Sequence, residues 1–90
     1  MKRNTPRSPE YWSVEKSFGQ VLQQLRQERG LSQEELAFES GYHRTYISLL
    51  ERGKKSPSLQ TIFQLAKTLK VEPSDIVERI QAFVASRSKE

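Results

Sequence analysis

The stretch Gln33–Gly53, QEELAFESGYHRTYISLLERG, decides the fold. It reads as two short helices joined by a tight corner at Gly41, where glycine takes φ > 0 without steric cost and lets the second helix leave at a steep angle. Ser32 followed by Glu35 is the signature of a capping box at the start of the first helix. Ala37 is small where the two helices would cross closely. In the second helix, His43 to Arg52, Ile47 and Leu50 recur at helical spacing and pin one side to a core. The other side then presents Arg44, Thr45, Ser48 and Leu49, with His43 and Tyr46 at its flanks.

The same periodicity extends on both sides. A helix is expected from about Val14 to Glu28, with Val14, Phe18, Val21, Leu22 and Leu25 inward and Gly30 as its stop. The helix opened by Ser32 carries Leu36, Ala37 and Phe38 as its apolar residues and ends near Ser40 and Gly41. A fourth follows Pro57, with Ser58 as N-cap and Leu59, Ile62, Phe63, Leu65, Ala66 and Leu69 as core face. A fifth starts at Pro73 and places Ile76, Val77, Ile80, Phe83 and Val84 in a stripe. Strand-like alternation is absent, so the class is all-α: a five-helix compact domain over residues 13–86. Residues 1–12 read as a flexible basic N-terminal arm holding Lys2, Arg3 and Arg7, with Tyr11 and Trp12 expected to dock on the domain or on a neighbouring subunit.

Composition narrows the function. The chain has 90 residues, 34% hydrophobic and 29% charged, and no cysteine. A chain this short has little core to spare, and neither disulfides nor a thiolate metal site can staple it. No apolar run approaches the ~20 residues of a membrane span and no secretory segment is present, so the expected setting is the cytoplasm, with no membrane partner. There is no glycine-rich phosphate loop, no metal-ligand cluster and no nucleophile–base pair of cysteine or histidine. An enzyme is therefore disfavoured, and no cofactor or metal is expected. The net charge of +4 favours an anionic partner, although many small proteins are equally basic, and placement has to decide.

Placement favours double-stranded DNA. Arginine gives two parallel hydrogen bonds to guanine O6 and N7, threonine and serine bond bases or phosphates, and Thr45 or Leu49 can press on a thymine methyl. Arg52, Lys54 and Lys55 follow the helix, where a phosphate backbone would lie. The competing reading of each basic residue is an ordinary solvated charge. For Tyr46 it is a ring covering the core edge, and for His43, the lone histidine, a cap or surface residue beside phosphate.

The segment Leu31–Ile62, LSQEELAFESGYHRTYISLLERGKKSPSLQTI, resembles the helix-turn-helix of the phage-repressor and Cro family. The pattern Leu31-Ser32-Gln33, Leu36-Ala37, Gly41, Ile47-Ser48, Glu51-Arg52-Gly53 and Pro57-Ser58 carries the resemblance over roughly residues 17 to 80. The string HRTYIS followed by ERG is similar to restriction-modification controller proteins, a branch of that family. The resemblance implies that Arg44 and Thr45 reach base edges, with Ser48 and Leu49 a later pair. It also implies that Ser32 and Gln33 meet a DNA phosphate at the start of the second helix, that His43 and Tyr46 touch backbone or flanking bases, and that Arg26 and Glu51 form an ion pair tying the first helix to the third. Leu49 stands where many relatives carry a polar residue, which limits base readout there to a methyl contact or removes it. In phage activators a similar acidic surface touches RNA polymerase, and the resemblance extends that partner to Glu34 and Glu39. The competing reading, favoured for Glu35, is capping and helix-dipole complementarity.

Ile80, Phe83 and Val84 exceed what one small domain needs to bury. A two-fold homodimer is the simplest way to cover them. It would set two recognition helices about one DNA turn (~34 Å) apart, to read an inverted repeat. The competing class is a protein-interaction module such as an antitoxin, which usually appends a partner-wrapping segment.

Overall fold

Three helices begin on a serine whose hydroxyl accepts a backbone N–H three residues on: Ser13 from Lys16, Ser32 from Glu35 and Ser58 from Thr61. Such caps satisfy one of the amide groups that a helix start leaves unpaired. In this computed structural model, which describes residues 13–87, they open α1 (Val14–Glu28), α2 (Gln33–Ser40) and α4 (Leu59–Leu69). Between and after these lie α3 (Arg44–Glu51) and α5 (Pro73–Arg87). The arm expected over residues 1–12, with Tyr11 and Trp12, lies outside the described residues. The expected five helices are present, and no strand occurs among the described residues.

Helix ends are equally regular. α1, α2, α3 and α4 each stop at a residue with φ between 61° and 83°: Gly30, Gly41, Gly53 and Lys70. The residue after each one donates its N–H back to the helix, Tyr42 to the Ala37 carbonyl and Lys54 to that of Leu49 among them. This closure pairs carbonyls that would otherwise face an apolar interior.

The core consists of Phe18, Val21, Leu22 and Leu25 of α1, Leu36 and Ala37 of α2, Ile47 and Leu50 of α3, Leu65, Ala66 and Leu69 of α4, and Ile76 of α5. α1 is the central strut, packed against α3 and α5, while α2 lies on α3 and α4. Several apolar residues expected inside face outward: Val14, Phe38, Leu59, Phe63 and Val77 are all exposed. In α2 and α4 polar residues occupy inward positions instead. In α2, Ser40 is buried and its hydroxyl donates to the Leu36 carbonyl at 2.7 Å, so the inward stripe runs Leu36–Ala37–Ser40 and turns Phe38 away. In α4, Thr61 is buried because its hydroxyl meets those of Tyr42, Tyr46 and Ser58 at 3.4, 3.2 and 3.0 Å. The stripe through Thr61, Leu65 and Leu69 leaves Leu59 and Phe63 on the outer side.

Candidate nucleic-acid interface

The candidate recognition surface is built on the corner between α2 and α3. Gly41 adopts φ 83° and ψ 13°, the left-handed conformation that glycine takes most readily. Ile47 and Leu50 are fully buried, which fixes the roll of α3 about its axis. His43, Arg44 and Thr45 are consequently exposed, and Ser48 and Leu49 are half-buried on the same helix. The exposed arginine and threonine can reach into a groove, whereas Leu49 has only part of its side chain to offer an apolar contact. His43 is the N-cap residue of α3, but its side chain makes no capping hydrogen bond.

Past α3, Arg52, Lys54 and Lys55 are exposed, and Arg52 donates from Nε to the Ser48 hydroxyl at 3.3 Å. The loop is held against the start of α1. Ser56 donates to Glu15 at 3.2 Å, and Gly53 lies so near Lys16 that an added Cβ would stand 2.8 Å from its Cγ. The cations after α3 thus project from a loop tied to α1. Tyr46 turns the other way. It is half-buried, its ring lies 5.1 Å from that of Tyr42, and its hydroxyl meets Thr61, so in this conformation it covers the core edge.

Beneath the surface, Arg26 of α1 and Glu51 of α3 form the expected ion pair. Arg26 donates from Nε to Oε2 at 2.6 Å and from Nη2 to Oε1 at 3.0 Å, and also from Nη1 to the Leu31 carbonyl at 2.8 Å. Hydrogen bonding to the Glu51 carboxylate raises the Arg26 guanidinium above its ordinary value and outweighs burial, which acts in the opposite direction. Gln33, at the start of α2, donates from Nε2 to Oε1 of the same carboxylate at 2.9 Å. Gln33 also lines an open groove of about 500 Å³ with Lys16, Gln20, Gln23, Glu51, Arg52 and Lys54. The Ser32 hydroxyl accepts the Glu35 N–H at 3.0 Å and keeps its own hydrogen to donate, and the Glu35 carboxylate accepts from the Ser32 N–H at 2.8 Å, which completes the capping box.

Gly19, which the sequence reading passed over, sets how closely α1 and α3 approach. A Cβ there would stand 2.5 Å from the Glu51 carbonyl oxygen and 2.6 Å from that of Leu50. Its only sequence signal is a glycine inside an otherwise strong helical pattern.

Elsewhere, Ile80 and Phe83 are half-buried against the chain's own core and Val84 is half-buried. On α2, exposed Phe38 shares a shallow depression with Glu34, Glu35 and Glu39. Among the described residues no helix is long and apolar enough to cross a membrane.

This arrangement has close counterparts. The helix-turn-helix family matches residues 22–76. The control protein C.BamHI of Bacillus amyloliquefaciens is 47% identical over 62 residues, which cover 68% of this chain and 76% of that protein. The crystal structure of the restriction-modification controller protein C.AhdI from Aeromonas hydrophila is similar with a TM-score of 0.69 at 45% identity, over 72% of this chain and 98% of that one. A tetramer of the controller protein C.Esp1396I in complex with its natural 35 base-pair operator matches with a TM-score of 0.73 at 27% identity, over 81% of this chain and 96% of that one.

Proposed function

The chain belongs to the helix-turn-helix family, and on that premise we propose that it is a sequence-specific, double-stranded-DNA-binding transcription regulator and not an enzyme. It works as a homodimer in the cytoplasm, with one α3 in each of two successive major grooves of an inverted repeat. The observation that carries this reading is the roll of α3. Ile47 and Leu50 are buried, Arg44 and Thr45 are exposed, and Arg52, Lys54 and Lys55 follow on a tethered loop.

Two layers of binding follow. The cations displace counterions and supply sequence-blind, salt-dependent affinity. Arg44 and Thr45 then read base edges, with Ser48 and Leu49 on the half-buried margin of the same face. Ser32, Gln33, His43, Arg52, Lys54 and Lys55 meet the backbone, and Tyr46 joins them only by leaving Thr61. Selection of bound sequences from a random DNA pool tests this. The expected result is an inverted repeat whose preference relaxes at one base position with Arg44→Ala, since a bidentate arginine–guanine pair discriminates by ~1–3 kcal/mol. Failure to enrich any sequence at moderate salt would refute the reading.

The dimer interface is assigned to the α4–α5 side, where Leu59, Phe63 and Val77 are exposed beside the half-buried Ile80, Phe83 and Val84. RNA polymerase is the partner for the α2 surface, supported by exposed Phe38 between Glu34 and Glu39. Reversing both charges is expected to abolish promoter activation and leave DNA binding intact; unchanged activation would exclude that partner.

A further inference from the structure

The Arg26–Glu51 ion pair and Gln33 share one carboxylate. Glu51 Oε1 accepts both Arg26 Nη2 at 3.0 Å and Gln33 Nε2 at 2.9 Å, while Oε2 is taken by Arg26 Nε at 2.6 Å. The Glu51 side chain is only 4% exposed, so its position is set by packing as well as by Arg26. An ionised carboxylate can only accept, so the Gln33 atom facing it must be the amide nitrogen. That nitrogen carries two hydrogens in the amide plane. One is directed to Glu51, and the second projects away from it. A half-turn of the amide would set its own oxygen against the carboxylate and is excluded by repulsion.

A phosphate oxygen, like a carboxylate, can only accept. An exposed glutamine meets it with nitrogen or oxygen outward at nearly equal cost and loses rotamer freedom on binding. Gln33 has already made that choice, beside a groove lined by Lys16, Gln20, Gln23, Arg52 and Lys54. We infer that Glu51 is a positioning residue for DNA binding, which acts through Gln33 by holding its amide with an N–H presented to a backbone phosphate. The inference rests on the reading of Gln33 as a backbone ligand. It makes one buried carboxylate both the tie between α1 and α3 and the part that orients a contact at the start of α2.

A double-mutant cycle measured on a mixed-sequence DNA duplex at low salt tests this, because a phosphate contact does not require the operator. Gln33→Ala is expected to weaken binding about three- to tenfold, the worth of one hydrogen bond. Glu51→Gln removes a negative charge whether or not Gln33 is present, and that contribution cancels in the cycle. What remains is expected to be a loss of about three- to tenfold with Gln33 present and none in the Gln33→Ala background. In the wild-type protein, NMR is expected to show one Gln33 side-chain amide proton exchanging more slowly than the other. This measurement stands even if Glu51→Gln fails to fold. Additive effects across the cycle, fast exchange of both protons, or full affinity in Gln33→Ala would each overturn the inference and leave the proposed function standing. A wild-type protein that does not bind the duplex at all would instead overturn the proposed function.

Discussion

At the scale of single residues, tolerance is lowest where backbone meets backbone. Gly19 lies against the last carbonyls of α3, and a methyl group there would overlap the Leu50 and Glu51 oxygens at 2.6 and 2.5 Å. Neither oxygen ends a flexible side chain, so relief requires α1 and α3 to separate and the Arg26–Glu51 geometry to stretch. Gly19→Ala is expected to destabilise the fold by about 1–3 kcal/mol, the usual range for overpacking, despite alanine's better helix propensity. Thermal unfolding measures it, and an unchanged or raised Tm would show that the helices can part without loss. Arg44 has the opposite character: exposed and bonded to nothing among the described residues, it can be removed with little effect on stability. Any effect of Arg44→Ala on DNA selection is therefore an effect on recognition.

Among the elements, α2 depends most on its ends. Eight residues are too few for a helix to persist alone, and its inward side offers only Leu36, Ala37 and a serine. The capping box therefore contributes directly to holding the start of α2, where Gln33 sits. Ser32→Ala is expected to cost about 1 kcal/mol, and Ser32→Asp to restore most of it, because an aspartate oxygen can accept the same Glu35 N–H. Chemical denaturation of the two variants measures the difference; equal stability of Ser32→Ala and wild type would show that packing alone holds α2. Most of this element scale was legible beforehand. Ser32 with Glu35, Ser58 after Pro57, and the three stop glycines are local chemistry, readable from a few adjacent residues. The rotation of α2 and α4 was not. Apolar residues at Phe38, Leu59 and Phe63 made each stripe look wider than the face that is buried, and nothing local shows that Ser40 and Thr61 are buried while those three are exposed.

Three surface clusters stand out on the whole molecule. The cations Arg44, Arg52, Lys54 and Lys55 belong to α3 and the loop after it, Glu34, Glu35 and Glu39 cluster on α2 around Phe38, and exposed apolar groups lie on α4 and α5. The exposed apolar positions make the proposed dimer testable without damage to the fold. Phe83 packs against the core, so its replacement would confuse unfolding with dissociation. Phe63 is 59% exposed and offers a cleaner probe. Phe63→Asp is expected to convert a dimer in sedimentation at micromolar concentration into a folded monomer whose helical circular dichroism is retained. It should also weaken operator binding more than it weakens binding to mixed-sequence DNA, because only the former needs two recognition helices in register. A variant that stays dimeric would move the interface away from α4.

The sequence by itself determined the class, the five helices with the caps of α2 and α4, the corner at Gly41, and the face of α3 that carries Arg44 and Thr45. Each of these follows from periodicity or from hydrogen bonding within a few residues, interactions that a linear string records. Only the tertiary structure decided that Gly19 governs the approach of α1 to α3, that Tyr46 folds back on Thr61, that Phe38, Leu59 and Phe63 face outward, and that Arg26, Glu51 and Gln33 form one hydrogen-bonded unit. The contacts of Gly19, Tyr46 and Glu51 join residues 15 to 32 positions apart, and such contacts exist only once the helices have packed. The stretch from Gln33 to Gly53 therefore identifies the helix pair and the candidate recognition face of α3, while packing against α1 and α4 from outside that stretch sets how the pair sits on the core.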